Sequence, residues 1–343
     1  MLKRTSLAIG SLLAIALSFA GTLFAPVASA TSPFASAQWS TSRDLEASGC
    51  AITDFTPASP PSNTTLPADG LSHAFNQDDT ATVTKSGDAT DITQASLSEH
   101  SVGRLTSKGA DPAAVTMSYA GSAALGRSKA PSACEVSGNA ANFLVVDVTL
   151  TKPMWVDTRF VQQGRGDAQV EIDANGSGDT YLFLENFDTK NDLSQRSYLP
   201  ADTYRIFMVA EQDVTNANAS MSGSVSMKFT DVGARTAGPS GTATSYVGLG
   251  SARDCTHHTL ATQVTSTKRR AKTIKKIVFT VNGHKIKTVR SHLRGKTIPL
   301  TLSDTKTANV KATVTTATVK KKHHHKKKIH KTRTVTASYL ACS

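Results

Sequence analysis

Acid is almost missing from the last quarter of this chain. Over residues 251–343 only Asp254 and Asp304 stand against 22 Lys and Arg, a net of +20. Residues 31–250 have the opposite balance, with 14 Lys and Arg against 24 Asp and Glu, a net of −10. The overall +12 therefore averages an acidic part and a very basic one. Beyond residue 30 no apolar run approaches the ~18 residues of a membrane-spanning helix. No segment keeps a 3.6-residue period with caps, which excludes a helical bundle. There is no Gly-x-Ser-x-Gly elbow, no His-Glu-x-x-His, no P-loop and no dinucleotide fingerprint, so the expectation is a protein without catalysis. Carboxylates are plentiful in the acidic part, and a glycosidase pair stays open there because spacing in sequence does not locate one. A Leu-Pro-x-Thr-Gly sorting signal and a lipobox cysteine are also missing.

Met1-Leu2-Lys3-Arg4, an apolar run over 7–24 and Ala28-Ser29-Ala30 have the order of a signal peptide, cut after Ala30. The mature protein is therefore expected outside the cell, soluble or associated with the cell wall. Four cysteines fit that setting: Cys50, Cys134, Cys255 and Cys342. Three connectivities are formally possible. Cys50–Cys134 and Cys255–Cys342 are favoured, because each pair then falls within one expected domain. Each would close a loop of more than 80 residues, worth about 4 kcal/mol in the chain-entropy model. No Cys-x-x-Cys or Cys/His spacing supports a zinc site instead.

The expected fold is all-β: two antiparallel β-sandwich domains joined by a Gly/Ser-rich linker. Residues 31–65 read as a Ser/Thr/Pro-rich arm, 66–235 as an acidic sandwich, 236–254 as a flexible linker and 255–343 as a basic domain. Strand runs recur at 81–84, 92–97, 115–119, 143–150, 154–161, 168–172, 180–184, 204–210 and 221–229, separated by Gly, Asp and Asn turns. Trp155, Phe160, Tyr181, Phe183, Tyr204 and Phe207 would fill the first core. Asn175-Gly176 marks a type I′ hairpin tip, and so does Asn282-Gly283 between 277–281 and 285–289. Further strands are expected at 297–302, 309–319 and 334–340.

Within the acidic domain, Gly178-Asp179-Thr180-Tyr181-Leu182-Phe183-Leu184 and Leu199-Pro200-Ala201-Asp202-Thr203-Tyr204-Arg205-Ile206 carry a likeness. The stretch resembles the bacterial pre-peptidase C-terminal domain, a small secreted β-sandwich, although Thr180-Tyr181 lacks the family's second acid and Asp202 replaces its usual Gly. This implies a fold and no activity. Residues 255–342, with a Cys at each end and Phe279-Thr280-Val281-Asn282-Gly283-His284-Lys285 at a turn, resemble an immunoglobulin-like module of secreted high-GC Gram-positive proteins. The basic run near residue 325 is longer than that family's usual turn.

Two stretches carry candidate chemistry. Asp173, Asn175, Ser177 and Asp179 alternate before Thr180 as in the first half of a calcium loop, where every second side chain turns toward a hard cation. The second half fails, since Leu184 stands at the twelfth position, and a plain Asn-Gly hairpin explains the same letters. Calcium is thus the one possible cofactor, and otherwise none is expected. The second stretch, residues 320–333, reads KKKHHHKKKIHKTR. It is expected at the tip of a hairpin, either as a solvated loop or as a contact for anionic polymers such as teichoic acid, acidic polysaccharide or extracellular DNA. The contact residues would be Lys320, Lys321, Lys322, Lys326, Lys327, Lys328, Lys331 and Arg333. Lys268, Arg269 and Arg270 would join them if the fold brings the two runs together. Metal capture by His323, His324, His325 and His330 is disfavoured by the flanking lysines. Few aromatics lie near, which argues against base stacking. The expected function is polyanion binding at the cell envelope, and the alternative is a structural or adhesive surface protein with no such ligand.

Overall fold

The computed structural model describes residues 32–343 apart from 56–63, 128–133, 176, 188–190, 266, 291–292 and 323–324. The expected signal peptide lies outside the described residues. In chain order the strands are β1 (Phe34–Ser48), β2 (Cys50–Thr53), β3 (Thr64–Thr65), β4 (His73–Lys85), β5 (Asp88–Lys108), β6 (Asp111–Arg127) and β7 (Glu135–Thr149). There follow β8 (Met154–Gly164), β9 (Asp167–Ala174), β10 (Thr180–Phe187), β11 (Asn191–Leu199), β12 (Thr203–Thr215) and β13 (Ala219–Asp231). The basic part contributes β14 (Val247–Leu249), β15 (Thr259–Val264), the short helix α1 (Lys268–Thr273), β16 (Ile274–Val281), β17 (His284–Val289), β18 (Thr297–Thr301), β19 (Ala308–Lys322) and β20 (His325–Tyr339).

The fold is an all-β sandwich architecture. One sheet has the order β10-β9-β12-β7-β1-β3 and packs on another, β11-β8-β13-β6-β5-β4-β2. A smaller sandwich pairs β14-β15-β18 with β17-β16-β19-β20. All of these ladders are antiparallel. The period of two along β7 shows why: Val136, Ala140, Leu144, Val146 and Val148 are buried, while Ser137, Asn139, Phe143, Val145 and Asp147 are more exposed. Burying one face of each strand sets the register, because a slip of one residue would turn that face to water.

Both favoured disulfides are present, Cys50–Cys134 and Cys255–Cys342, with Cα separations of 5.9 and 5.6 Å. The turn at Asn282 and Gly283 has φ of 50° and 85°, the two positive values a type I′ hairpin requires. At the β9–β10 turn, Asn175 is not in the positive-φ region, Gly178 has φ 71°, and Gly176 lies outside the described residues.

Three expectations are corrected. The arm is part of the core: β1 pairs with β7 along its length and buries Phe34, Ala37, Trp39 and Leu45. Its alternation is hard to see in the sequence because Thr41 and Arg43 fill two inward positions. The linker is built into the second sandwich. The backbone N–H groups of Thr236, Ser240 and Ala243 donate to the carbonyls of Ser338, Thr336 and Thr334, while Ala243, Val247 and Leu249 are buried. Gly241, at φ 120°, permits that close approach, since a Cβ there would meet the Thr334 carbonyl. Among the aromatics, Phe160 and Tyr204 are core, but Phe183 is 48% exposed. Trp155 lies on the outer side, edge-on to Tyr198, and donates its indole N–H to the Ala341 carbonyl at 2.9 Å. That bond, with Gly233 N–H to the same carbonyl at 3.0 Å, joins the two sandwiches.

Arg253 secures the end of the chain. Its buried guanidinium donates to the carbonyls of Ser303, Asp304 and Lys306 at 2.8, 2.9 and 3.2 Å and to Cys342 Sγ at 3.1 Å. Burial lowers its pKa, with Asp304 opposing that shift. Replacing it by Ala should leave these carbonyls unpaired and cost about 3 kcal/mol in urea unfolding of the full chain. An unchanged midpoint would show that water replaces the guanidinium without loss.

Candidate functional site

Most of the basic run at 320–333 falls on strands, residues 323 and 324 lying outside the described residues. β19 continues through Lys322 and β20 begins at His325, so the lysines lie on a two-stranded ribbon. The register is continuous from Thr316↔Lys331 through Ala317↔His330, Thr318↔Ile329, Val319↔Lys328, Lys320↔Lys327 and Lys321↔Lys326 to Lys322↔His325. Thr316 and Ala317 are the last buried positions of β19 among the described side chains, and Val319 is already 63% exposed. Thr318 and His330 are exposed too, and the sequence beyond them offers no apolar face to bury.

Strand geometry then distributes the charge. Directly opposed residues share a face and every second residue returns to it. Lys320, Lys322, Lys327 and Lys331 hold register positions on one face, and Lys321, Lys326 and Lys328 on the other. Lysine therefore faces lysine across the ladder at 320–327 and again at 321–326. Like charges placed directly opposite are destabilising. His325 and His330 occupy positions on the two opposite faces, while His323 and His324 lie outside the described residues.

The second basic run comes beside this ribbon. β16 starts at Ile274, opposite Thr316, so α1 with Lys268, Arg269 and Arg270 sits against β19 where the ribbon leaves the core. None of the α1 side chains is buried. Arg270 donates to the Ser245 carbonyl at 3.4 Å, within the former linker. Sequence reasoning missed Arg294 and Lys296. The bonds Val264 N–H to Lys296 carbonyl and Gly295 N–H to Thr265 carbonyl, at 2.9 and 3.1 Å, hold both exposed residues next to the approach to α1. Each is isolated in the sequence, and only the β15–β18 pairing places them there.

Arg333, at the base of the ribbon, packs on an aromatic ring. Its guanidinium carbon lies 5.5 Å from the Tyr246 ring centroid, and it is half-buried opposite Val314. The two acids of the basic half are both engaged by histidine: Asp254 with His257 Nδ1 at 2.7 Å and Asp304 with His258 Nδ1 at 2.5 Å. Backbone hydrogen bonds from His257 and Thr256, and the contact with the His257 side chain, lower the pKa of Asp254. Both acids lie toward the Cys255–Cys342 end, whereas β20 runs fifteen residues from His325 before reaching Tyr339 at that end.

The calcium candidates fall at the β9–β10 turn. Asp173, next to the last residue of β9, has its Oδ1 accepting the Thr180 hydroxyl at 2.8 Å. Asn175, Ser177 and Asp179 are exposed on the turn, where the Asp179 N–H donates to Ser177 Oγ at 3.3 Å. Among the described residues no three His, Cys, Asp or Glu side chains are grouped to hold a metal ion. No described helix is long and apolar enough to cross a membrane.

No protein-family model and no curated protein matches the chain. Distantly similar solved structures include two of different kinds. The adhesin domain of Epf from Streptococcus pyogenes has a TM-score of 0.20 and 13% identity over 77% of this chain and 91% of its own. A GH31 alpha-xylosidase of Xanthomonas citri has a TM-score of 0.14 and 8% identity over 57% of this chain and 26% of its own. Neither superposes well enough to carry its fold or function over to this chain.

Proposed function

We propose that this is an extracellular binding protein, not an enzyme, whose basic C-terminal sandwich holds anionic polymers on the β19–β20 ribbon. The observation that carries the reading is the register, which sets Lys320 against Lys327 and Lys321 against Lys326 at the far end of the β19–β20 ladder. Such a ribbon bears an electrostatic cost that an external anion relieves. Cations on both faces suit insertion between two rows of phosphate, sulfate or carboxylate better than contact with one flat surface, and a duplex major groove admits a two-stranded ribbon. The α1 cluster adds charge at the base. The disulfides and leader support an extracellular setting, where wall polymers, acidic polysaccharides and DNA all offer that chemistry.

The test uses the full mature chain, because the two sandwiches are in contact. Retention is measured on immobilised teichoic acid, heparin and duplex DNA at 50 mM salt. A variant with Lys320–Lys322 and Lys326–Lys328 changed to Ser should lose retention and keep its fold by near-UV circular dichroism. If the unaltered protein passes through all three columns, the polyanion reading fails and the structural or adhesive role takes its place.

A further inference from the structure

The interior of the larger sandwich changes character halfway along. β1 passes from Trp39 through Thr41 and Arg43 to Leu45, and β5 from Leu97 through Glu99 and Ser101 to Leu105, all on buried positions. The resulting polar band separates one apolar cluster around Trp39, Leu144 and Phe160 from another around Leu45, Leu97 and Val136. Side-chain links cross it from sheet to sheet, and in one the Ser101 hydroxyl of β5 donates to Asn142 Oδ1 of β7 at 2.6 Å. The Thr41 hydroxyl donates to Gln77 Oε1, and Arg43 pairs with Asp79, two residues further along the same two strands. Glu99 is the directly opposed residue to Gln77 in the β4–β5 ladder, is 1% exposed, and has no hydrogen-bond partner on either oxygen. Burial holds its carboxyl protonated at neutral pH, against the opposing pull of Arg43.

A buried hydroxyl, a carboxamide in contact with it and an unpartnered acid beside that carboxamide are the groups an acyl transfer needs. We propose that Thr41 and Gln77 condense without any other enzyme into an intramolecular ester that staples β1 of one sheet to β4 of the other. Thr41 Oγ1 adds to Gln77 Cδ, forming the O–C bond, and the collapse breaks Cδ–Nε2. The Glu99 carboxyl takes up the hydroxyl proton on one oxygen and delivers its own to Nε2, which leaves as ammonia, so Glu99 ends as protonated as it began. Arg43 lies on the same face of β1 as Thr41, and its Nε–H has no partner, which makes it the cation available to the oxyanion intermediate. Hydrogen bonding to the amide oxygen keeps the nucleophile next to the carbon it attacks. Thr41 is fully buried, which excludes the water that would hydrolyse the product. No backbone ladder joins β1 to β4, so this bond would add a covalent tie between two strands that only side-chain contacts now link.

The experiment is the intact mass of the folded, purified full chain with its disulfides reduced. Loss of one ammonia, about 17 Da, is expected, with Thr41 and Gln77 recovered in one cross-linked peptide that alkaline hydroxylamine opens. The Glu99→Gln variant should fold and regain the mass its sequence requires, and so should Thr41→Val. Recovery of separate, unmodified peptides carrying Thr41 and Gln77 from the wild-type protein overturns the proposal whatever the variants do. So does an ammonia loss that maps elsewhere, such as a cyclised asparagine. A Glu99→Gln protein that is still cross-linked overturns the role assigned to Glu99.

Discussion

Affinity of the full chain for duplex DNA or teichoic acid should fall by roughly 10³–10⁴ between 50 and 200 mM salt. The number follows from counterion release: each neutralised phosphate contributes about 0.9 to the slope of log K against log salt, and the ribbon offers six to eight cations. Changing Lys320–Lys322 and Lys326–Lys328 to Ser should reduce that slope by about five, since each lost contact removes nearly one released ion. Arg333→Ser is the informative control, because its guanidinium lies on the Tyr246 ring instead of on the ribbon's free length. It should move the slope by less than about one. Sequence preference should be weak, as contacts of this kind read backbone charge and not base edges. Titrations in which the six-Ser variant keeps the wild-type slope would place binding elsewhere, with the α1 group the next candidate.

Stability should fall on going from pH 5 to pH 8, by on the order of 4 kcal/mol if Glu99 dominates. Burial raises the Glu99 pKa from 4.5 to about 8, with the nearby Arg43 only partly opposing it. An acid whose folded pKa is raised stays protonated in the native protein after the unfolded chain has ionised. Its favourable contribution is therefore complete below about pH 4.5 and is lost progressively up to about pH 8. Urea unfolding of wild type and Glu99→Gln at both pH values measures it. The Gln variant should show little of the decline, because a neutral amide has no charge to desolvate. Equal wild-type stability at pH 5 and 8 would mean that Glu99 ionises without cost in the folded state, although neither of its buried oxygens has a hydrogen-bond partner.

What the chain's letters determined was local or compositional. The division into an acidic and a basic part depends on counts alone. The Asn282-Gly283 hairpin follows from two residues that tolerate positive φ, and the cysteine pairs follow from placing two cysteines in each half. The β class was legible because period-two alternation is a property of a few neighbouring residues. Tertiary structure decided everything that depends on partners distant in sequence. β1 was hidden because its inward positions include Thr41 and Arg43, which make sense only opposite Gln77 and Asp79 of another sheet. Residues 236–251 have the composition of a linker, yet they run beside β20 because small residues there can approach Thr334 and Thr336 closely. The lysines read as a loop because consecutive like charges repel. The ladder continues through them, with Val314 and Val335 anchoring its base in the core. Charge sets what the ribbon can bind, but only strand pairing decides which lysines share a face and that α1 stands beside them.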